Sequence, residues 1–492
     1  MNLTLSLGIS NNGGTTRKRK LWDGVDDVGD GSSGGDRGRV IMRLLHAREE
    51  RMTARQETDD EPRAAACSYT DDDAAGGIRL MRLLLSSAAA SKAGDARAAA
   101  AALHEVYRRA SFRGGDPAQR VAAYFADALA SSSRILIRSP APTTPPPTTE
   151  RPFLAYTMFY QASPLYQLAH FTANQAIVEA FEAGAAARRR RLHVVDFDVA
   201  YGFQWPSLIQ SLSAAAAATT STSGSGSSSD GSCDEPVSLR ITGLGASADE
   251  LRRTESRLTR FASGCPNLRF EFEGIVVDNG AIRDGIINIK TDDDATVVVN
   301  LVFPDARNAS REECGTLLAR VRSLNPALVV LVEKHDSSGN ARSTTSSVLP
   351  RFTASLRYFA AVFDSLHECL PADSAERLAI ERNHLGTEIS SAVASLHDQR
   401  RHDDDDGRMA NTWKEMMESA GFEGVKLSYR TVSQAKLLLK MKSGCCSGGG
   451  FRVVEGDAGK AMSLGWRDTT ALITATAWRR RSTSWATHKF ID

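Results

Sequence analysis

The stretch LHVVDFDVAYGFQWPSLIQSL (residues 192–212) decides the fold class. It reads as an apolar strand, a turn with one glycine, and a helix that begins at Trp205-Pro206. A strand that ends in carboxylates and continues into a helix through a glycine turn is typical of nucleotide and S-adenosylmethionine sites. Such a turn either binds a ligand, or it keeps the strand–turn–helix architecture and binds no ligand.

The turn lacks most of the glycines that an S-adenosylmethionine site needs. In methyltransferases, glycines at alternate positions follow the acid and let the backbone approach the ligand. Here the series is Asp196, Asp198, Ala200 and Gly202, and the Asp198 side chain would occupy the ligand's space. We therefore expect Asp196 and Asp198 to bond the turn itself, and we predict no cofactor. A methyltransferase that uses this turn is the enzyme alternative.

A second glycine motif follows the next strand. Gly243, Gly245 and Ala248 match the G-x-G-x-x-A spacing of dinucleotide sites. However, Ser247 and Glu250 are spaced as a capping box, which satisfies the free N–H groups at the start of a helix. A phosphate would also meet an acidic first turn, so we predict a structural role for these glycines.

Composition excludes several classes of function. The 492 residues carry 60 Lys+Arg against 59 Asp+Glu, so nucleic-acid or membrane binding would need a local basic patch. The seven scattered cysteines form no C-x-x-C pair, which predicts reduced thiols in the nucleus or cytosol and no zinc site. No hydrolase or P-loop motif occurs, and no run is long and apolar enough for a transmembrane helix.

Short β-rich runs alternate with helices after residue 191, which predicts an α/β fold with a parallel, helix-covered sheet and antiparallel strands at its C-terminal end. The predicted strands are 192–197, 237–242, 268–276, 295–302, 327–334, 424–429, 436–441 and 473–478. The predicted helices are 206–216, 248–263, 310–323, 350–370, 373–396 and 409–420. Residues 213–235 hold a low-complexity loop, and residues 76–186 are mainly helical apart from a Pro/Thr linker.

Residues 1–75 are rich in Gly, Ser, Asp and Arg and have little apolar periodicity, which predicts a disordered tail. Its consecutive basic residues are either a nuclear import signal or a solvated charge cluster: Arg17, Lys18, Arg19 and Lys20. Leu3, Leu5 and Leu7 alternate as in an extended peptide that docks in a groove, and they resemble the LxLxL repression motif of plant regulators. They predict a corepressor partner.

Several long motifs in order resemble those of the GRAS family of plant regulators. Residues 192–212 look like the VHIID motif. Residues 115–130 are similar to the end of the first leucine-rich region, and 239–262 are similar to the second. Residues 351–389 resemble the PFYRE region, and 413–478 resemble the SAW motif. The SAW positions include Trp413, Gly421, Phe422, Gly465, Trp466 and Trp478. The resemblance covers about 78–480, and residues 396–413 depart from the family's basic RVER segment.

The resemblance implies a Rossmann-like, methyltransferase-related core (187–491) behind an N-terminal helical cap (76–186). It implies a nuclear transcriptional regulator or co-regulator, not an enzyme, that acts through partners in plant development or symbiosis signalling. Residues 159–181 look closest to the branch linked to nodulation signalling and arbuscule development. The expected motif scaffold is His193, Asp196, Asp198, Gly202, Gln204, Trp205, Trp466 and Trp478. The expected apolar surface for a homo- or heterodimer with other regulators is Leu83, Leu84, Leu85, Leu251 and Leu258.

Direct, sequence-specific DNA binding is the remaining alternative. The run ARRRRL (187–192) places Arg188, Arg189, Arg190 and Arg191 just before the first strand. These residues either contact phosphates, act as a second import signal, or form a solvated loop.

Overall fold

The computed structural model describes residues 73–132, 150–186, 190–222, 236–277, 289–304, 311–335, 348–371, 373–397, 412–443, 450–467 and 470–481. The predicted tail, including the basic run and the leucine repeat, lies outside these residues except for 73–75, which are helical. So does almost all of the segment that departs from the RVER pattern. In the described part of the chain, no helix is long and apolar enough to span a membrane.

One mixed sheet forms the centre of the fold. Its strands are β1 (Arg191–Asp196), β2 (Val237–Gly245), β3 (Leu268–Val276), β4 (Ala295–Val302), β5 (Leu328–Lys334), β6 (Phe422–Val425), β7 (Phe451–Gly456), β8 (Ala461–Trp466) and β9 (Thr470–Arg480). The order is β3-β2-β1-β4-β5-β9-β8-β7, with β6 also paired to β9. Strands β1 to β5 are parallel, and β9 runs antiparallel to β5. The α/β class with C-terminal antiparallel strands is therefore confirmed.

Helices cover this sheet and precede it. They are α1 (Asp73–Lys92), α2 (Ala96–Tyr107), α3 (Pro117–Ser132), α4 (Glu150–Ala162), α5 (Pro164–Ala186), α6 (Trp205–Thr222), α7 (Ala248–Ala262), α8 (Arg311–Ser323), α9 (Val348–Cys369), α10 (Ala375–Ile380), α11 (Gly386–His397), α12 (Trp413–Ser419) and α13 (Tyr429–Ser443). A π-helical turn, Glu381–Leu385, joins α10 to α11. The five helices α1 to α5 lie ahead of β1 in the chain.

Helix α3 shows how the sequence determines the start and the packing of a helix in the N-terminal helical cap. Asp116 accepts a hydrogen bond from the N–H of Gln119 (2.8 Å), and Pro117 needs no such partner at the first helical position. The helix then packs into α9, where Phe125 meets Phe352 and Phe359 edge-on at 5.5 and 5.9 Å between ring centroids. Both contacts join residues more than 200 positions apart, so the cap and the C-terminal half of the chain share one core.

Several sequence predictions differ from the structure. The strand expected at 424–429 lies at Phe422–Val425, and helix α13 already begins at Tyr429. Residues 436–441 lie within α13 and not in a strand, because Ala435, Leu438 and Leu439 are buried together at helical spacing. Helix α6 continues to Thr222, through the alanines that the composition assigned to a loop. Strands β7 and β8 have no counterpart in the prediction, because their polar and glycine residues interrupt the apolar alternation.

Candidate functional site

The switch point of the sheet lies between β1 and β4. From β1 the chain first builds β2 and β3 on one side and then returns to build β4 and β5 on the other. Ligands of open α/β sheets bind at such a point, outside the carboxyl ends of the strands. Asp196 of β1 and Asn300 of β4 are direct neighbours there. The turn picked out by the sequence is therefore in the position of a ligand site.

The single glycine of this turn is required by packing. Gly202 has φ +72°, and a Cβ at this position would lie 2.8 Å from Cγ2 of Thr254 on α7. Its N–H donates to the carbonyl of Val199 (2.8 Å), which closes the turn. Ala200 also has a positive φ of 43°. The turn is thus tightened against a helix, and its glycine does not make room for a ligand.

Gly202→Ala should therefore lower the free energy of unfolding by about 1–3 kcal/mol. This loss should exceed the loss from backbone strain alone. The strain-only control is Gly94→Ala, because Gly94 has φ +77° and, its chain neighbours aside, no atom of the described residues lies within 4 Å of its ideal Cβ. Urea unfolding of both variants measures the difference. Equal losses at the two positions would show that the Thr254 contact does not restrict Gly202.

A buried amide network occupies the switch point. Asp196 Oδ1 accepts from Asn300 Nδ2 (3.0 Å) and from the N–H of Asp198 (3.4 Å). Gln204 Nε2 donates to Oδ1 of Asn300 (3.0 Å) and to Oδ1 of Asn174 (3.1 Å). Asp196, Asn300, Gln204 and Asn174 are all buried. Burial raises the pKa of the Asp196 carboxyl to about 7, and the nearby Asp198 charge adds to this rise.

Aromatic side chains of α4 cover the turn. The rings of Phe153 and Tyr156 lie 5.2 and 5.1 Å from that of Tyr201, and the ring of Tyr160 lies 5.1 Å from that of Phe203. Burial raises the pKa of Tyr156 well above its ordinary value. These contacts place aromatic side chains, not an open crevice, over the carboxyl end of β1.

A charged cluster extends this cover to the ends of β4 and β5. Lys334 Nζ donates to Glu388 Oε1 (2.7 Å) and to the Tyr166 hydroxyl (3.0 Å). The same ammonium lies 4.9 Å from the centroid of the Phe303 ring. These residues come from β5, α11, α5 and the turn after β4, so the cluster fastens the cap helix α5 and the later helix α11 to the carboxyl ends of β4 and β5.

The second glycine motif is also structural. Gly243 and Gly245 lie inside β2, before the turn and not within it. A Cβ at Gly243 would lie 3.0 Å from Cβ of Val199, and one at Gly245 would lie 3.1 Å from Leu251. Ser247 caps α7 by accepting from the N–H of Glu250 (3.4 Å). The Glu250 carboxylate pairs with Arg253 of the same helix (3.0 Å), so only half of the predicted capping box forms.

Comparison with known proteins identifies this architecture. The model of the GRAS domain family matches residues 80–479. The chain belongs to the GRAS domain family. It is 32% identical to Protein SCARECROW of Ipomoea nil over 74% of this chain and 42% of that protein. It is 33% identical to Scarecrow-like protein 23 of Arabidopsis thaliana over 77% of this chain and 84% of that protein. The crystal structure of SCL7 from Oryza sativa matches with TM-score 0.59 and 30% identity, covering 81% of this chain and 99% of that one.

GRAS proteins of the SCARECROW type are plant transcription regulators. The chain spans half or less of the length of the SCARECROW proteins that it matches. In the described part of the chain, no group of three His, Cys, Asp or Glu residues is arranged to hold a metal ion.

The leucines assigned to a dimer surface are mostly part of the core. Leu84 and Leu85 of α1 and Leu251 and Leu258 of α7 are at most 5% exposed. Leu83 is half-buried at the edge of the same core. The prediction of an apolar surface is therefore corrected for four of the five, because helices α2, α3 and α9 pack on α1 and strand β3 packs on α7.

Leu84→Ala is accordingly expected to lower the free energy of unfolding by about 2–5 kcal/mol, since it leaves a cavity where a fully buried side chain stood. Leu83→Ala should cost less than half as much. Urea unfolding of the two variants gives the comparison. Equal and small losses would show that α1 is not packed as the structure has it.

Of the other scaffold residues, Trp205 lies beside the switch point, where its backbone N–H donates to the carbonyl of Gly202 (3.2 Å), and the rest lie elsewhere in the core. His193 Nε2 and Thr242 Oγ1 lie 2.9 Å apart between β1 and β2, and burial lowers the His193 pKa to about 4. Trp205 is fully buried. Trp466 Nε1 donates to Asp364 of α9 (2.7 Å), and Trp478 Nε1 donates to Thr476 (2.9 Å). None of these three contacts belongs to the switch point.

Asn174, Asn300 and the aromatic residues of α4 at the switch point were not predicted from the sequence as site residues. Asn300 interrupts the run ATVVVNLV, which is apolar apart from Thr296, and a buried amide in such a run is a signal of a polar site. Tyr156 carries no comparable signal, because its contact with the turn depends on how α4 is placed.

The basic run before β1 is only partly described. Arg191 pairs with Asp294 (3.3 Å), and the carbonyl of Arg190 accepts from the N–H of Ser238 (3.0 Å). Arg188 and Arg189 lie outside the described residues.

Proposed function

We propose that this chain is a nuclear transcriptional regulator or co-regulator that acts through protein partners in plant development or symbiosis signalling. The observation that carries the proposal is the switch point, where the amide network and the α4 aromatics stand in the position of a ligand. Membership of the GRAS family supports the regulatory role, and the likeness of residues 159–181 to the nodulation branch motivates the symbiosis role.

Calorimetry of the full chain with S-adenosylmethionine tests the scaffold role of the switch point. We expect no heat of binding at micromolar concentrations, because Asp198 and the α4 rings occupy the approach to β1. Saturable micromolar binding that Asp196→Ala abolishes would overturn the proposal in favour of a methyltransferase.

Selection of the full chain on a random pool of duplex DNA at about 150 mM salt separates a co-regulator from a direct reader of DNA. We expect no enriched motif from protein that melts cooperatively. An enriched motif, lost when Arg188–Arg191 are changed to serine, would make the chain a sequence-specific DNA-binding factor.

Nuclear import is assigned to the basic run at Arg17–Lys20. A fluorescent fusion of the full chain should accumulate in nuclei, and serine at these four positions should redistribute it to the cytosol. The matched comparison is serine at Arg188–Arg191, which removes the same charge. If the Arg17–Lys20 variant stayed nuclear and the Arg188–Arg191 variant did not, import would be assigned to Arg188–Arg191.

Repression is assigned to Leu3, Leu5 and Leu7. The full chain fused to a heterologous DNA-binding domain should repress a reporter, and alanine at these three leucines should relieve that repression. The control replaces Ser6, which lies between the leucines, by alanine. Unchanged repression in the triple variant would remove the corepressor from the proposal.

Dimer formation with a second GRAS chain is assigned to the outer side of α1 around Leu83. Sedimentation of Leu83→Glu should show a smaller species than the parent chain at the same concentration. Thermal melting of the same samples separates a lost interface from a lost fold. If the parent chain sedimented as a monomer, the proposed homodimer would be wrong and only a heterodimer with another GRAS chain would remain.

A further inference from the structure

The outer surface of the cap around α1 and α2 has an excess of positive charge. Between residues 76 and 116 the chain has three carboxylates and seven cationic side chains, all seven exposed: Arg79, Arg82, Lys92, Arg97, Arg108, Arg109 and Arg113. Two of the carboxylates cap helices. Asp95 accepts from the N–H of Ala98 (2.9 Å), and Asp116 accepts from that of Gln119 (2.8 Å). The third carboxylate, Glu105, therefore faces the arginines by itself.

Three arginines converge on Glu105. Arg109 Nε donates to its Oε1 (2.8 Å), Arg108 Nη1 lies 3.3 Å from Oε2, and Arg79 Nη2 of α1 lies 3.6 Å from Oε1. The hydrogen bond from Arg109 and the charges of Arg108 and Arg79 hold the pKa of Glu105 below its ordinary value. One carboxylate cannot neutralise three guanidinium groups, so this surface favours a second anion.

A serine hydroxyl lies directly after these arginines in the chain. Helix α2 ends at Tyr107, and residues 108–111 read RRAS. Ser111 is partly exposed, and its Oγ accepts from the N–H groups of Gly114 (3.1 Å) and Arg113 (3.4 Å). In the described part of the chain, the O–H of Ser111 donates to no acceptor. An anion attached to this Oγ would lie beside two N–H donors, as in an anion-binding nest.

The connection from α2 to α3 that carries this serine is fastened from the core. Arg377 Nη2 donates to the carbonyl of Arg113 (3.0 Å), and Arg120 Nη1 donates to that of Gly115 (2.8 Å). Both donating arginines are buried and both bond to Glu381. The backbone around the serine is therefore held in place, and its N–H donors are preorganised for an anion.

We propose that Ser111 is phosphorylated by an arginine-directed protein kinase and that the cap retains the phosphate. The kinase recognises Arg108 and Arg109, three and two residues before the serine, since kinases select substrates by their charge pattern. The γ-phosphoryl group of ATP passes to Oγ, the hydroxyl proton passes to a carboxylate of the kinase, and ADP leaves. The phosphate carries a charge of about −1.5 to −2, which the surplus arginines balance.

Recognition is tested on the full chain with magnesium ATP and the catalytic subunit of cyclic-AMP-dependent protein kinase. Mass spectrometry gives the initial rate at each serine. The double variant Arg108→Ser, Arg109→Ser should lower the rate at Ser111 by about tenfold or more. Ser263 is the internal control, because it also follows a helix but has only the arginine three residues before it, Arg260. It should react about tenfold more slowly than Ser111.

Two results would overturn this recognition. One is the absence of phosphate at Ser111 in protein that melts cooperatively. The other is an unchanged rate at Ser111 in the double variant.

Retention of the phosphate is tested by thermal melting, with phosphoserine placed at position 111 during translation so that no kinase is needed. The modified chain should melt about 1–3 °C higher than the parent at low salt, and the gain should shrink in 1 M NaCl. The gain should disappear in Arg108→Ser, Arg109→Ser. It should persist in Lys92→Ser, Arg97→Ser, which removes the same charge at the other end of the α1–α2 hairpin. A lower melting temperature, or an equal gain in both double variants, would overturn the retention.

Discussion

Replacing Glu381 by glutamine is expected to destabilise the protein by about 3–5 kcal/mol, because it leaves two buried guanidinium groups without their anion. Glu381 Oε1 accepts from Arg120 Nε and from Arg377 Nη1, each at 2.9 Å. All three side chains are at most 1% exposed. Burial raises the pKa of Glu381, against the opposing effect of both arginines. This cluster joins α3 and α10 at the π-helical turn, so its loss should loosen the cap.

Urea unfolding of Glu381→Gln measures this effect, and Glu376→Gln is the matched control. Glu376 is an exposed glutamate one turn earlier, and its loss should change stability by less than about 0.5 kcal/mol. A triple variant with methionine at Arg120 and Arg377 and leucine at Glu381 should be more stable than Glu381→Gln, because no buried charge remains. A triple variant less stable than the single one would show that the ion cluster itself holds the cap.

Replacing Asp196 by asparagine is expected to stabilise the protein above pH 7. The pKa of this carboxyl rises from 3.8 to about 7 on burial. Between pH 4 and 7 the unfolded chain ionises while the folded chain keeps its proton, so stability falls as pH rises, by up to about 4 kcal/mol. Above the folded pKa the loss is complete. Asparagine is neutral throughout and keeps an oxygen that accepts from Asn300.

The measurement is the free energy of unfolding of the parent and Asp196→Asn from pH 4 to 8. Their difference should grow up to about pH 7 and then stay constant. Asp198→Asn is the control, since Asp198 is exposed and contributes only part of the charge that raises the Asp196 pKa. If the free energies of unfolding of the parent and of Asp196→Asn changed in parallel with pH, the pKa of Asp196 would not be raised in the folded protein.

The sequence by itself determined the alternation of strands and helices, because apolar periodicity is a local property of the chain. It also determined the missing glycines at Asp198 and Ala200, which argue against a ligand at the turn after β1. The same kind of local pattern wrongly predicts a strand at residues 436–441, where a run of leucines suits a strand or a helix equally well. Only the burial of Leu438 and Leu439 decides between them.

Tertiary structure alone decided what fills the switch point and which leucines remain on the surface. Tyr156 reaches Tyr201 from a separate helix, and Arg120 reaches Glu381 across 261 positions of the chain. Contacts of this kind depend on the packing of distant elements, and no spacing within one segment encodes them.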